Sequence, residues 1–149
     1  MRIAVVSDSH GNKKAINHLF ESYKFDYLFH CGDGVGDLGN YIYLDNVYGV
    51  SGNCDIFSSE VNERIIEINK NKFLLTHGHK YNVKRDLERL IVRGKELNCD
   101  FIFYGHTHNA NYFNVDNMYI INPGALQKGK CVIVNIEDGL SVENINIDI

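Results

Sequence analysis

Val5-Val6-Ser7-Asp8-Ser9-His10-Gly11-Asn12 is the stretch that indicates the fold, because a short apolar run ends there in a carboxylate, an imidazole and a glycine. Alternate side chains of an extended segment point to the same side, so we expect Asp8 and His10 to face one way. An oxygen and an imidazole nitrogen at the end of a strand suit a divalent metal ion. One such triplet is weak evidence, and it gains weight only if later apolar runs end in similar residues.

Length and composition predict a single domain spanning residues 1–149. The chain is 44% hydrophobic and 23% charged, as is usual for a soluble globular domain. No apolar run approaches the ~20 residues of a membrane span, and the run after Arg2 is too short for a signal peptide. We therefore expect a cytoplasmic protein with no membrane partner.

Charge and cysteine content restrict the classes of partner. The net charge of −4 disfavours a stable nucleic-acid partner, because such proteins carry a basic face. A small phosphate-containing substrate remains compatible with this charge, since bound metal ions would dominate the local field. The four cysteines form no C-x-x-C pair and are expected to be reduced. A homo-oligomer is left open.

Apolar periodicity predicts an α/β fold. Buried strands are predicted at 2–7, 26–31, 47–50 and 101–104. Amphipathic helices are predicted at 13–24 and 84–98. Hairpins are predicted from 60–68 and 72–76, around Asp116-Asn117, and from 130–137 and 140–147 around Asp138-Gly139. We expect two β-sheets packed face to face with helices outside, a four-layer α-β-β-α arrangement.

Five of the predicted strands end in residues that bind metal ions in proteins. These residues are Asp8, His10, Asp33, Asn53, His77, His106 and His108. Seven ligands are too many for one ion and suit two ions that share a carboxylate. Mixed imidazole and carboxylate ligands suit Mn, Ni, Fe, Co or Zn better than Mg or Ca alone. We therefore expect two divalent ions per chain, with Mn as the first choice.

Taken in order, these clusters resemble the calcineurin-like metallophosphoesterases, and most closely their short bacterial and archaeal phosphodiesterase branch. The motifs are Asp8-Ser9-His10, Gly32-Asp33, Gly52-Asn53-Cys54-Asp55, His77 and Gly105-His106-Thr107-His108. The resemblance spans nearly the whole chain and implies the two-sheet fold. It also implies hydrolysis of a small phosphodiester by in-line attack of a metal-bridging hydroxide.

The resemblance also implies roles for individual residues. Asp8, His10 and His108 would hold one metal ion, and Asn53, His77 and His106 the other. Asp33 would bridge the two ions. The catalytic residues would be Asp33, Asn53, His77, Cys54 and His79.

Two departures from the family pattern affect the expected chemistry. Cys54 stands where most of the family has a histidine that is credited with contacting the phosphate and protonating the leaving group. The short branch carries this cysteine too, so the site is not interpreted as inactive, but it lacks an obvious general acid. His79 could lie near the site or merely at the surface. The basic substrate contact of the branch is either supplied by Lys128 or absent, and His30 and Asp37 are expected to support the Asp33 loop.

An alternative function is a protein-interaction scaffold. A eukaryotic sorting-complex subunit of the same fold has that role, with a degraded metal site. Every ligand position is intact in this chain, which favours the enzyme. Metal content and hydrolysis of an activated phosphodiester distinguish the two functions.

Overall fold

A computed structural model describes residues 1–148 and contains two five-stranded mixed sheets packed face to face, which confirms the predicted fold class. The strands are β1 (Arg2–Val6), β2 (Tyr27–His30), β3 (Val47–Gly49), β4 (Glu63–Ile68), β5 (Asn71–Thr76), β6 (Phe101–Phe103), β7 (Asn111–Val115), β8 (Met118–Asn122), β9 (Lys130–Ile136) and β10 (Leu140–Asn146). The α-helices are α1 (Lys13–Ser22) and α2 (Glu88–Glu96). Short 3₁₀ helices cover Val35–Tyr43, His79–Tyr81 and Leu126–Lys128.

Strand order places the ligand-bearing loops at one edge of the molecule. The first sheet has the order β10-β9-β1-β2-β3, with β1, β2 and β3 parallel. The second has the order β4-β5-β6-β8-β7, with β5, β6 and β8 parallel. Parallel strands end at the same edge of a sheet, so the loops after β1, β2 and β3 lie together, as do those after β5 and β6.

The apolar run of β1 serves two hydrophobic clusters at once. Ile3 and Val5 face the second sheet, where they belong to the same cluster as Phe29, Phe73 and Phe103. Ala4 and Val6 face the other way, towards α1 and its buried stripe. The strand is therefore apolar at every position from residue 3 to residue 6, because both of its faces are covered. A third cluster packs α2 against the outer face of the second sheet.

Two predicted elements begin three or more residues later than expected, and local contacts explain both. Helix α2 begins at Glu88 rather than at residue 84, because Asn82 is left-handed at φ +54° and the Asp86 carboxylate accepts the Glu88 N–H at 3.0 Å. Strand β4 begins at Glu63 rather than at residue 60. The preceding residues pair instead with the loop after β3, since the Ser51 hydroxyl donates to the Glu60 carbonyl at 2.8 Å. Among residues 1–148, no helix combines the length and apolar character needed to cross a membrane.

Candidate metal centre

The loops that carry the predicted ligands turn sharply at those residues. Five of the seven predicted ligands have a positive φ: Asp8 (52°), His10 (40°), Asp33 (58°), His106 (71°) and His108 (62°). Aspartate and histidine enter this backbone region more readily than most residues, but not without strain. Residues in sparsely populated backbone conformations cluster at functional sites.

Asp8 lies at the centre of the first group of ligand atoms. Its side chain is fully buried, and its Oδ1 lies 3.1 Å from His108 Nε2 and 3.6 Å from His10 Nε2. No hydrogen bond reaches Asp8 Oδ1 or His10 Nε2 among the described residues, although both atoms are buried. Burying polar atoms without partners is costly, so this pair fits a cation placed between them.

The second group of ligand atoms surrounds Asp33. His77 Nε2 lies 3.2 Å from Asp33 Oδ2 and 3.1 Å from His106 Nδ1. His77 Nδ1 lies 2.9 Å from the Cys31 carbonyl oxygen, which can only accept, so Nδ1 carries the hydrogen in the neutral ring. The Nε2 lone pair of that ring then faces Asp33 and His106. This is the usual arrangement of a histidine that binds a metal ion.

The two groups of ligand atoms adjoin each other at Asp33. His10 Nε2 lies 3.8 Å from Asp33 Oδ2, and ligand atoms of His10, Asp33 and Cys54 lie within 4.8 Å of one another. Asp33 therefore neighbours His10 on one side and His77 on the other. Imidazole nitrogens and carboxylate oxygens in this mixture fit first-row divalent ions such as Mn, Fe, Co, Ni or Zn.

Electrostatics within the cluster are set by burial and by the close pairs. Burial raises the pKa of Asp33, but hydrogen bonds with His77 and the Cys54 N–H outweigh it and hold that pKa well below its usual range. Burial lowers the pKa of His77, but Asp33 and Asp8 outweigh it and raise that pKa. Burial and the neighbouring His77 lower the pKa of His106 to about 4. The Asp33 carboxylate is thus ionised at neutral pH, as binding a cation requires.

The remaining predicted site residues lie at the rim of the cluster. Asn53 is exposed, and its amide contacts the Cys54 sulfur at 3.6 Å. Cys54 donates its backbone N–H to Asp33 Oδ1 at 2.9 Å. The half-buried ring of His79 has its centre 5.4 Å from that of His77, so His79 lies near the site rather than away from it. Lys128 is exposed on the 3₁₀ helix Leu126–Lys128.

A buried hydrogen-bond chain joins the loop after β1 to the loop after β2. The Gly32 N–H donates to His30 Nδ1 at 3.0 Å, so the hydrogen of the neutral ring is on Nε2 and is donated to Ser9 Oγ at 2.9 Å. Ser9 Oγ in turn donates to Asp37 Oδ2 at 2.7 Å. The same oxygen of Asp37 also accepts the Gly11 N–H at 2.8 Å. His30 and Asp37 thus support the two loops that carry Asp8, His10 and Asp33.

Sequence reasoning missed the role of Asp55. Its carboxylate accepts three backbone N–H groups, those of Asp33 at 2.8 Å, Gly34 at 2.9 Å and Gly52 at 2.8 Å. These bonds fix the turn that presents Asp33 and tie it to the loop after β3. The signal was present in the Gly52-Asn53-Cys54-Asp55 motif, where an acidic residue follows the predicted ligand by two positions.

The loops of the two sheets are in close contact beside Asp8. The His106 N–H donates to Asp8 Oδ2 at 3.0 Å, and a Cβ atom at Gly105 would collide with the Ser7 hydroxyl. Asn122, which sequence reasoning also missed, donates to the Gly105 carbonyl at 3.2 Å from its place at the end of β8. The loop that carries His106 and His108 is thereby held against the loop that carries Asp8.

Comparisons with known proteins agree with this arrangement. A family model for the calcineurin-like phosphoesterase superfamily domain matches residues 1–139. A phosphodiesterase of Methanocaldococcus jannaschii is 32% identical over 145 residues, which cover 83% of this chain and 83% of the relative. The structure of a conserved Streptococcus pneumoniae protein, described as a predicted phosphoesterase, superposes with a TM-score of 0.88 at 24% identity over 97% of this chain and 88% of that one.

The fold is also shared by Vps29, a protein that is not named as a phosphoesterase. Vps29 of Entamoeba histolytica, solved in complex with zinc, superposes with a TM-score of 0.77 at 20% identity, covering 98% of this chain and 99% of that one. At this level of identity the two structural likenesses show the fold alone.

Proposed function

Because the chain belongs to the calcineurin-like phosphoesterase superfamily, we propose that it is a phosphodiesterase that depends on two divalent metal ions. One observation carries the proposal: Asp33 Oδ2 lies 3.8 Å from His10 Nε2 of one group of ligand atoms and 3.2 Å from His77 Nε2 of the other. Phosphoesterase activity is supported by the family and by the relatives. The preference for diesters is supported by the phosphodiesterase of M. jannaschii, which resembles this chain along most of its length.

The proposed ligand assignment follows the two groups. Asp8, His10 and His108 would hold one ion, while His77 and His106 would hold the other, and Asp33 would contact both. Asn53 is exposed at the rim, and its place in the second set rests on the family resemblance alone. Divalent ions bound there would lower the pKa of water and neutralise charge on the phosphoryl oxygens. Mn is the first choice of metal, and Ni, Fe, Co and Zn suit the same donors.

The protein's own groups would orient the ligands and manage protons. Asp8 Oδ2 accepts hydrogen bonds from Ser7 at 2.6 Å and from the His106 N–H, which leaves Oδ1 for a cation. Hydrolysis of a phosphodiester adds water at phosphorus and breaks one P–O bond, and the departing oxygen must gain a proton. Cys54 and His79 are the titratable side chains at the rim of the cluster, and neither is an obvious acid for this step.

The proposed function is tested by hydrolysis of bis(p-nitrophenyl) phosphate after loading with Mn. We expect activity in the wild type and a larger loss in Asp33→Asn than in His108→Ala at saturating Mn, because a shared carboxylate affects both ions and His108 only one. Tyr112→Ala, an exposed change on β7, is the control and should leave the rate unchanged. Equal, small losses at Asp33 and His108 would contradict a bridging role for Asp33.

The alternative is a protein-interaction scaffold of the same fold, a role suggested by the resemblance to Vps29 in shape. The unpaired Asp8 Oδ1 and His10 Nε2 fit a bound cation, but Vps29 of E. histolytica also binds zinc, so hydrolysis rather than metal binding distinguishes the two functions. Metal-loaded protein that fails to hydrolyse any activated phosphodiester or phosphomonoester would favour the scaffold.

A further inference from the structure

A groove lined by both apolar and polar residues lies beside the ligand cluster. Its volume is about 460 Å³, and Tyr43, Ile56 and Phe57 line it. These three are 82%, 77% and 97% exposed, whereas no other large apolar side chain among residues 1–148 exceeds 50%. Apolar side chains so exposed and so close together mark a surface that binds something.

The groove is continuous with the ligand cluster through Cys54. Cys54 lines the groove, and its sulfur lies within 4.8 Å of ligand atoms of both His10 and Asp33. A phosphate placed at the ligand cluster would therefore have one of its ester groups beside Cys54, at the mouth of the groove. The volume is that of a typical small-molecule site, about 300–1,000 Å³.

The charges around the groove are already paired. Both oxygens of Asp55 accept backbone N–H groups, and Glu60 lies 2.6 Å from Arg64 Nη2. The described residues that line the groove include no lysine or arginine. The groove therefore has no cationic side chain to bind a second phosphate. An uncharged ring, in contrast, would pack on Tyr43 and Phe57 and remove their apolar surface from water.

We propose that this groove binds an uncharged aromatic ester group of the substrate. The proposal rests on the phosphodiesterase function given above and adds the substrate class: a diester in which one ester group is a bulky, uncharged ring. Tyr43, Ile56 and Phe57 then determine specificity without taking part in bond breaking. A diester with two small alkyl groups would leave the groove unfilled.

The test compares two anions that cannot be hydrolysed, diphenylphosphinate and dimethylphosphinate, by calorimetric titration of the Mn-loaded protein. We expect the wild type to bind the diphenyl compound more tightly. Phe57→Ala should raise its dissociation constant about tenfold and leave that of the dimethyl compound unchanged, since filling an apolar pocket with one group changes affinity about 10–200-fold. Phe57 is almost fully exposed, so this change should not disturb folding.

Kinetics supply a second measurement with matched leaving groups. Bis(p-nitrophenyl) phosphate and methyl p-nitrophenyl phosphate release the same phenolate, so their kcat/KM ratio reports the ester group that stays behind. Ile56→Ala and Phe57→Ala should lower that ratio, and Tyr112→Ala should not.

The outcomes separate this proposal from the function on which it rests. Preference for diphenylphosphinate that is lost in Phe57→Ala supports the groove, even in a protein that hydrolyses neither diester and so fails the functional test. Equal binding of the two phosphinates, or a preference that survives both Ile56→Ala and Phe57→Ala, overturns the groove and leaves the function standing. A dimer that dissociates in Phe57→Ala, with the phosphinate preference unchanged, would assign this face to a second copy of the chain and overturn the proposal too.

Discussion

At the scale of single residues, each buried candidate ligand is hydrogen-bonded through one side-chain atom, which leaves its other oxygen or nitrogen free. Asp8 is held through Oδ2, Asp33 through Oδ1 by the Cys54 N–H, and His77 through Nδ1 by the Cys31 carbonyl. The remaining oxygen or nitrogen of each faces the other ligands. Such support fixes the ring tautomer and carboxylate orientation before a metal ion arrives.

His30 leads to a prediction about pH. Burial lowers its pKa from 6.5 to about 4. Below pH 6.5 the His30 imidazole is protonated in the unfolded chain, whereas in the folded chain it stays neutral down to about pH 4. The free energy of unfolding therefore falls as the pH falls through this range. Lowering the pH from 7 to 5 should reduce the free energy of unfolding of the metal-free protein. We expect the protonation of His30 to account for about 2 kcal/mol of that reduction.

Urea denaturation of the metal-free protein at both pH values measures this effect. His30→Gln removes the titrating group, so its free energy of unfolding should fall less between pH 7 and pH 5 than that of the wild type. His18→Gln, which changes an exposed histidine on α1, is the matched control. If the wild type and His30→Gln lose the same free energy, the buried ring does not resist protonation.

Cys54 leads to a prediction about leaving groups. Desolvation and the hydrogen bond with Asp33 raise the pKa of the Cys54 thiol, so it is protonated at neutral pH and is not a nucleophile. Without a placed acid, which typically contributes ~10²–10⁴-fold, the rate should fall steeply as the pKa of the leaving group rises. A series of aryl and alkyl phosphodiesters measures the slope, and Cys54→Ser should retain most of the activity.

Two results would contradict this account of Cys54. A flat dependence on leaving-group pKa would mean that another group donates the proton, and His79 would be the first residue to change. Loss of all activity in Cys54→Ser, with metal content unchanged, would give the thiol a direct part in the reaction.

At the scale of elements, Asp55 joins the loops after β2 and β3. Asp55→Asn replaces one acceptor oxygen by an NH₂ group and leaves at least one buried N–H unpaired. We expect it to lower the free energy of unfolding by about 2–3 kcal/mol. Because the Asp33 turn loosens, the dissociation constant for Mn should rise about 10–100-fold. Urea denaturation of the metal-free protein and calorimetric titration with Mn measure the two effects.

Asp86→Asn is the control for this prediction. Asp86 also accepts a backbone N–H, that of Glu88, but only one and at the exposed start of α2. Asp86→Asn should lower the free energy of unfolding only slightly and leave the dissociation constant for Mn unchanged. Similar effects of the two substitutions would show that Asp55 does not organise the site.

The order and type of the elements could be predicted because apolar periodicity is a local signal. Two starts could not be predicted from that signal: β4 starts late because Glu60 pairs with Ser51, and α2 starts late because Asn82 is left-handed. The apolar pattern near residue 60 and residue 84 records neither the contact nor the backbone turn.

The clustering of the predicted ligand residues could be expected for a related reason: each lies in a loop that follows an apolar run, and those runs become strands. The supporting contacts could not, since they join residues far apart in the chain. Asp8 and His106 are 98 residues apart, and Ser9 and Asp37 are 28 apart. The groove was also missed. In the sequence, Ile56 and Phe57 are two ordinary apolar residues of a loop, and only the structure shows that their side chains are exposed.

At the scale of the whole molecule, the candidate metal centre joins the two sheets. Asp8 and His10 come from the first sheet and His108 from the second; Asp33 comes from the first and His77 from the second. Ions bound at these groups would therefore tie the sheets together. A ligand that binds only the folded chain stabilises it, by about 2.7 kcal/mol at a concentration 100 times the dissociation constant.

The last prediction concerns how many ions bind and what they do to stability. Elemental analysis after saturation with Mn and removal of free metal should give about two ions per chain, since Asp33 neighbours both groups of ligands. His108→Ala removes a ligand of one group only, so it should retain about one ion and lose part of the rise in Tm that Mn gives the wild type. Val92→Ala, an exposed change on α2 away from the ligands, should behave as the wild type does. One ion in the wild type, with Tm unchanged by the second equivalent of Mn, would contradict the shared-carboxylate arrangement and leave a mononuclear site.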